Sequence, residues 1–269
     1  MSHTILRRSA LAATTLALGA CTHGPVTTPL PPAAGYVAMG SSFAAGPGVT
    51  TPADAPATRC GRSRDNYAHQ LARKRGLTLT DVTCSGATTA HLLGPWNELA
   101  PQLDAVTADT ALVTVTIGGN DVNYVGNLMN ASSGGTVQPA TQDAWKRLAG
   151  SFDRIAAEVR RRAPNARLVF VDYMSLLPAG LPCPATPVSA EQAATLRAMA
   201  QRLEAETAAA AARAGADLIR ASVLSRKHDP CAAEPWANGF SVAKGAAPYH
   251  PNLAGMTGIA EALDARLPR

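Results

Sequence analysis

The 269-residue sequence has little charge and few aromatic side chains: Asp, Glu, Lys and Arg make up 16% of it, and Phe, Trp and Tyr only 4%. Its formal net charge of +5 falls to +3 if Arg7 and Arg8 are removed, as we expect below. So weak a basic excess argues against a nucleic-acid partner. Hydrophobic residues reach 46%, which is enough for the core of one large domain.

Metal-binding patterns are also missing. The five cysteines form no Cys-x-x-Cys pair, and the histidines show no spacing typical of metal ligands. We therefore predict no zinc site, and the chemistry predicted below requires no metal or organic cofactor.

The sequence also lacks a long hydrophobic run, so we predict no segment that spans a bilayer as a helix of about 20 residues. The N-terminus has the layout of a signal peptide: basic Arg7 and Arg8, a weakly apolar stretch, then Leu18-Gly19-Ala20-Cys21. These last four residues resemble the lipobox of bacterial lipoproteins. We predict a signal peptide over residues 1–20 and a lipid on Cys21, the alternative being an ordinary signal peptide that contains a cysteine. Both predict export, to the bacterial cell envelope or as a secreted protein.

The next segment, residues 21–35, carries four prolines among small residues, which predicts an extended tether. A single domain should follow over residues 36–269. If Cys21 is lipidated, four cysteines remain, and an even number in an exported chain indicates two disulfides. Three pairings are open to them: the four are Cys60, Cys84, Cys183 and Cys231.

Strand-like apolar runs alternate with segments of helical period in the predicted domain. This alternation predicts an α/β fold, a three-layer α/β/α sandwich with a doubly wound, mostly parallel five-stranded sheet. The predicted strands are Gly35–Ser41, Leu77–Thr83, Ala111–Ile117, Arg167–Tyr173 and Ala216–Arg220. The predicted helices are 65–75 ending at Gly76, one around 145–159 that Pro164 stops, one from the Ser189/Gln192 capping box to Gly215, and one capped by Asn252.

Three loops that follow predicted strands hold candidate catalytic residues. Ser42 lies in Gly40-Ser-Ser-Phe-Ala-Ala-Gly46, on a turn that would expose its hydroxyl at the end of the first strand. Gly86 and Asn120 lie in the loops after the second and third strands, and a glycine N–H with an asparagine amide can stabilise an oxyanion. Each motif alone is common in tight turns. Together they fall at one edge of the sheet, where ligands bind in such folds.

A candidate base, His250, stands directly before the last predicted helix. The positive end of a helix dipole favours a neutral imidazole, which is the form that a general base requires. A single histidine is usually structural or solvated, but as the fourth member of this set His250 is the leading candidate.

The three loops and the His250 segment follow one another over most of the mature chain. In this order they resemble the four sequence blocks of the SGNH, or GDSL-like, hydrolases. The resemblance implies a flavodoxin-like fold and makes Ser42 the nucleophile, since Gly46 follows four residues later. It implies that Gly86 and Asn120 form the oxyanion hole with the Ser42 N–H, and that His250 is the base. The segments 84–89 and 118–122 are similar to those of the secreted, disulfide-containing lipases and esterases. That likeness implies the pairs Cys60–Cys84 and Cys183–Cys231.

Two positions depart from the family pattern. Ser41 stands where the family usually has aspartate, which makes Ser41 a minor rival nucleophile. Ala247 stands where the family's Asp-x-x-His motif would place the aspartate that orients the base. We predict a Ser-His dyad in which a backbone carbonyl of residues 246–248 orients His250, with Asp229 as the less favoured alternative.

The resemblance implies a serine esterase or lipase, and we expect it to act on esters of short to medium acyl chains. Two alternatives stay open: a carbohydrate O-acetyl esterase with the same machinery, and a catalytically inactive surface lipoprotein that binds in the old crevice. Residues 122–142, with Trp236, Phe240 and Tyr249, could line an acyl pocket or simply pack in loops. We expect a monomer.

Overall fold

The computed structural model describes residue 1 and residues 29–268. Most of the predicted signal peptide and the predicted lipidation site, Cys21, therefore lie outside the described residues. Within the described part, no helix combines the length and the apolar character needed to cross a membrane.

The centre of the fold is a sheet of five strands, all parallel, in the spatial order β2-β1-β3-β4-β5. This confirms the predicted α/β class and the predicted number of strands. Each observed strand begins within one residue of its prediction and ends one or two residues earlier. The strands are β1 Gly35–Gly40, β2 Thr78–Asp81, β3 Thr110–Thr116, β4 Arg167–Val171 and β5 Asp217–Ile219.

Helices connect these strands, and the four long predicted ones are present. Their ends follow from local chemistry: the Asn66 side chain caps α2, the Ser189/Gln192 capping box starts α6, and Gly76 and Gly215 end helices in the left-handed conformation. The helices are α1 Ser42–Ala45, α2 Tyr67–Arg75, α3 Thr89–Leu93, α4 Tyr124–Ser132, α5 Gln142–Arg162, α6 Ala190–Ala214, α7 Ala221–Leu224 and α8 Leu253–Arg266.

Successive residues of a strand point to opposite faces, so the sheet has two apolar faces to cover. Tyr36 and Ala38 of β1 belong to a cluster with α2 and α8, while Val37 and Met39 belong to the larger cluster with α3, α4, α5 and α6. The result is the predicted three-layer sandwich.

The chain leaves β1 toward β2 on one side and later returns to place β3 on the other side of β1. The loops after β1 and β3 therefore diverge and open a crevice at the carboxyl edge of the sheet. Ser42 follows β1 and Asn120 follows β3. Helix α4, which begins four residues after Asn120, is an element that the sequence reasoning treated as an irregular segment.

Candidate active site

The turn that carries Ser42 is shaped by close backbone packing. Gly40 has a φ of 143°, and a Cβ there would lie 2.3 Å from the carbonyl oxygen of Thr116, so this position excludes a side chain. Ser42 is the first residue of the short helix α1, which Gly46 ends in the left-handed conformation. The strand-turn-helix geometry leaves the Ser42 side chain 7% exposed, at the edge of the crevice.

Ser42 and His250 meet across 208 residues of sequence: Ser42 Oγ lies 2.8 Å from His250 Nε2. The other ring nitrogen, Nδ1, lies 2.7 Å from the carbonyl oxygen of Pro248. A carbonyl oxygen only accepts hydrogen bonds, so Nδ1 carries the proton. In the neutral ring, Nε2 is then left as the acceptor for the Ser42 hydroxyl, which is the tautomer that a general base needs.

The carbonyl partner of His250 falls within the predicted range 246–248, and Asp229 does not fill this role. The Asp229 carboxylate instead accepts a hydrogen bond from the Cys231 backbone N–H at 2.8 Å. Burial lowers the pKa of His250 below its usual value, while the hydrogen bond to Pro248 opposes that shift. The net effect keeps the imidazole neutral near pH 7.

Gly86 lies in a loop that a disulfide holds in place. It has a φ of +86°, and a Cβ at this position would come within 3.2 Å of the Trp96 ring. The expected bridges are present: Cys60 is bonded to Cys84 two residues before Gly86, and Cys183 is bonded to Cys231.

The Asn120 loop is tied directly to the Gly86 loop. Asn120 Nδ2 donates to the Ala87 carbonyl oxygen at 2.8 Å, which leaves the second proton of the same amide free of this bond. The next residue, Asp121, accepts from the Thr89 backbone N–H at 3.0 Å and from its hydroxyl. The two predicted oxyanion loops are thereby fixed against each other.

Two further residues, Tyr173 and Gln102, hold this arrangement and were missed by sequence reasoning. The backbone N–H of Gly119 donates to the Tyr173 hydroxyl at 2.9 Å, so the Tyr173 proton is available to Ser41 Oγ at 3.2 Å. The side chain of Gln102 exchanges two hydrogen bonds with the backbone of Gly40, of 2.7 and 3.1 Å. No motif marks either residue, because both act on backbone groups from distant elements.

These contacts separate the two serines of the turn. Ser41 Oγ is directed to Tyr173, whereas Ser42 Oγ is directed to His250. Ser41 is also only 1% exposed, so its hydroxyl is closed to a substrate in this arrangement.

The sequence leaves two possibilities open for residues 122–142 and their aromatic neighbours, an acyl pocket or internal packing, and the structure shows packing for four of these side chains. Tyr249, Tyr124 and Leu128 are each at most 1% exposed and belong to the core, and Trp236 packs in the cluster on the α2/α8 face of the sheet. The segment 122–142 does not overhang the crevice as a loop. Its first half folds into α4, which packs inward because Tyr124, Leu128 and Ala131 recur at helical spacing.

At the carboxyl edge of the parallel sheet, a serine is hydrogen-bonded to a neutral histidine beside loops that carry a glycine and an asparagine. This arrangement defines a serine hydrolase site. Comparison with known proteins specifies the class. Residues 38–257 match the model of the GDSL-like Lipase/Acylhydrolase family. The chain belongs to this family and is a carboxylic ester hydrolase.

Individual relatives agree with this assignment. The chain is 36% identical over 258 residues to Lipase 2 of Streptomyces coelicolor, covering 86% of this chain and 84% of the relative. The solved extracellular lipase from Streptomyces rimosus is 27% identical, with a TM-score of 0.73 over 87% of this chain and 99% of that one. Phospholipase A1 from Streptomyces albidoflavus has the same TM-score at 24% identity and shows the shared fold.

Proposed function

We propose that the protein hydrolyses carboxylic esters of short to medium acyl chains through an acyl-enzyme on Ser42, with His250 as general base. The observation that carries the proposal is the 2.8 Å contact between Ser42 Oγ and His250 Nε2, with the Nδ1 proton held by Pro248. This contact supplies a nucleophile, its base and the correct tautomer.

The chemistry follows from these positions. His250 Nε2 takes the Ser42 proton as Oγ attacks the ester carbonyl, and the oxyanion is stabilised by the N–H groups of Ser42 and Gly86 and the Asn120 amide. The imidazolium returns its proton to the leaving alcohol, which departs and leaves the acyl-enzyme. Water then attacks the acyl carbon while His250 takes its proton. Collapse of the second oxyanion breaks its bond to Ser42 Oγ, which takes the proton back from the imidazolium, so the carboxylic acid is released and both residues are restored.

Hydrolysis of p-nitrophenyl esters from acetate to palmitate tests the proposal, with acetylated xylan in the same panel for the O-acetyl esterase alternative. We expect a maximum at short or medium chains, and a loss of kcat of about 10⁶-fold in Ser42→Ala and His250→Ala. Ser41→Ala is the matched control for Ser42→Ala and should stay active. Ester hydrolysis that survives Ser42→Ala would place the nucleophile elsewhere, and wild-type protein inert across the panel would favour the inactive binding lipoprotein.

We also propose that the protein is exported as a monomer, with residues 1–20 as signal peptide and a lipid on Cys21. The two disulfides support an oxidising compartment, and the similarity to an extracellular lipase points the same way. Expression of the full chain in a bacterium fed radioactive palmitate tests the anchor. Label should enter wild-type protein and be lost in Cys21→Ser, whereas an unlabelled, released wild-type protein would favour an ordinary signal peptide.

A further inference from the structure

The turn that orients His250 depends on the backbone conformation of the residue before it. Tyr249 has a φ of +55°, in the left-handed region that a bulky side chain rarely adopts. This conformation lies between Pro248 and His250 and lets the Pro248 carbonyl face the ring of a residue only two positions later, at 2.7 Å. Where the family motif uses a carboxylate from residue 247, this chain uses a main-chain turn.

Three hydrogen bonds join this turn to Asn238 and Gly239. Asn238 donates through its side-chain amide to the Ala247 carbonyl at 2.9 Å, and its backbone N–H donates to the His250 carbonyl at 2.9 Å. The Tyr249 N–H donates to the Gly239 carbonyl at 3.2 Å. None of these three bonds involves the Tyr249 side chain, which belongs to the buried core.

The Tyr249 hydroxyl forms a hydrogen bond of 2.6 Å with the Ser132 hydroxyl, which lies 117 residues away in the sequence. Tyr249 is fully buried, so close packing holds its ring and hydroxyl in one place beside the turn. Ser132 is the last residue of α4, whose other end is bonded to the oxyanion loop: the Tyr124 N–H donates to Gly119 O at 2.8 Å. One helix therefore touches both the loop of Asn120 and the turn of His250.

We propose that Ser132 and Tyr249 are positioning residues, whose hydroxyl contact holds the left-handed turn so that the Pro248 carbonyl orients His250 toward Ser42. The Pro248 carbonyl takes the place of the carboxylate of the family motif, the pair holds that carbonyl in position, and α4 keeps the base in register with the oxyanion loop. The inference rests on the proposed Ser42–His250 mechanism and deepens it.

Ser132→Ala and Tyr249→Phe test the proposal, because each removes one hydroxyl and leaves the rest of the side chain. In p-nitrophenyl ester hydrolysis we expect kcat to fall about tenfold in each, since misplaced catalytic groups act on the chemical step, with KM little changed. The double variant should lose no more than either single variant, because both remove the same contact. Ser132→Thr restores a hydroxyl and should recover most of the activity.

Ser133→Ala is the matched control, since Ser133 Oγ bonds only to the Met129 carbonyl of its own helix, at 3.0 Å. We expect it to behave as the wild type. Proton NMR supplies a readout that a purely structural role would not move: the downfield His250 Nδ1–H signal should be present in the wild type and in Ser133→Ala. It should broaden or disappear in Ser132→Ala and Tyr249→Phe.

Three results would overturn the proposal: unchanged kcat in both single variants, losses that add in the double variant, or a fall in kcat with the Nδ1–H signal intact. Failure of the underlying mechanism is recognised separately. Diethyl p-nitrophenyl phosphate should label wild-type Ser42, identified by mass spectrometry of the digest. Labelling at another residue sinks the mechanism itself, whereas normal wild-type labelling with unaffected variants sinks only the role of Ser132 and Tyr249.

Discussion

The Ser42 turn and the His250 turn are built in different ways. The Ser42 side of the site consists of loops at strand ends, fixed by glycines, a disulfide and side-chain bonds from Gln102 and Tyr173. On the His250 side, no carboxylate within residues 29–268 contacts the ring, and its orientation comes from a main-chain carbonyl in a left-handed turn. Side-chain bonds and a disulfide therefore fix one half of the site, whereas a main-chain turn orients the base in the other half.

Apart from loss of the nucleophile itself, the largest effect on the Ser42 side should come from Asn120→Ala. This change removes the proposed side-chain donor to the oxyanion and breaks the bond to Ala87, so kcat should fall about 10²- to 10³-fold. Steady-state hydrolysis of p-nitrophenyl butyrate measures the loss. Asn130→Ala is the control, because the Asn130 amide bonds only to Thr136 within an exposed segment. Equal activity of the two variants would remove Asn120 from the oxyanion hole.

The disulfides provide a direct comparison of two regions. Replacing either cysteine pair by serines should lower the free energy of unfolding by about 3 to 4 kcal/mol, since the bridges close loops with separations of 24 and 48 residues. Only the Cys60–Cys84 pair fixes the Gly86 loop, so only its loss should also lower kcat at a temperature where both variants are folded. Denaturant unfolding and ester hydrolysis measure the two quantities. A larger fall in kcat on removal of Cys183–Cys231 would reverse the comparison.

Tyr173→Phe should separate positioning from stability. It removes the hydroxyl that links Ser41 to the Gly119 N–H, so we expect kcat to fall about tenfold. Tyr36→Phe is matched to it: that hydroxyl is also buried and bonded, to Thr114 at 2.8 Å, but away from the crevice. Both variants should lose about 1 kcal/mol of stability. If thermal unfolding and kcat change in parallel in the two variants, Tyr173 has no special role in the site.

The smallest expected effect is the position of the acid limb in the pH profile of kcat/KM. Because burial lowers the pKa of His250, its imidazole should become fully neutral at a lower pH than that of a free histidine. Activity should rise with pH and reach its plateau with an apparent pKa below about 6.5. A limb centred above that value would indicate a negative charge close to the ring, which the carbonyl arrangement does not supply.

Sequence reasoning succeeded where chemistry is local. The five strands, the caps at Ser189 and Asn252, and the helix ends at Gly76 and Gly215 all follow from residue type and spacing. The loops of Ser42, Gly86 and Asn120 could be placed at one edge because parallel strands bring their carboxyl ends together. The disulfide pairing came from family resemblance and not from the spacing of the cysteines.

The remainder depends on contacts between distant segments. Tyr173 and Ser132 bond to groups more than 50 residues away, and nothing in their neighbourhood marks them. The left-handed conformation of Tyr249 could not be predicted from the sequence, because tyrosine normally avoids that region of φ and ψ. The choice between an acyl pocket and internal packing could not be made for Tyr124 and Leu128 because α4 was not recognised, and both residues face the core.

We infer that His250 acts as a base without a carboxylate partner. The most direct test is to measure kcat/KM of Asp229→Asn beside that of His250→Ala. Asparagine keeps an oxygen for the Cys231 N–H, so the loop of Asp229 should stay folded while its charge is removed. We predict kcat/KM close to that of the wild type for Asp229→Asn and a loss of several orders of magnitude for His250→Ala. Equal losses in the two variants would contradict the dyad and make Asp229 the third member of a triad.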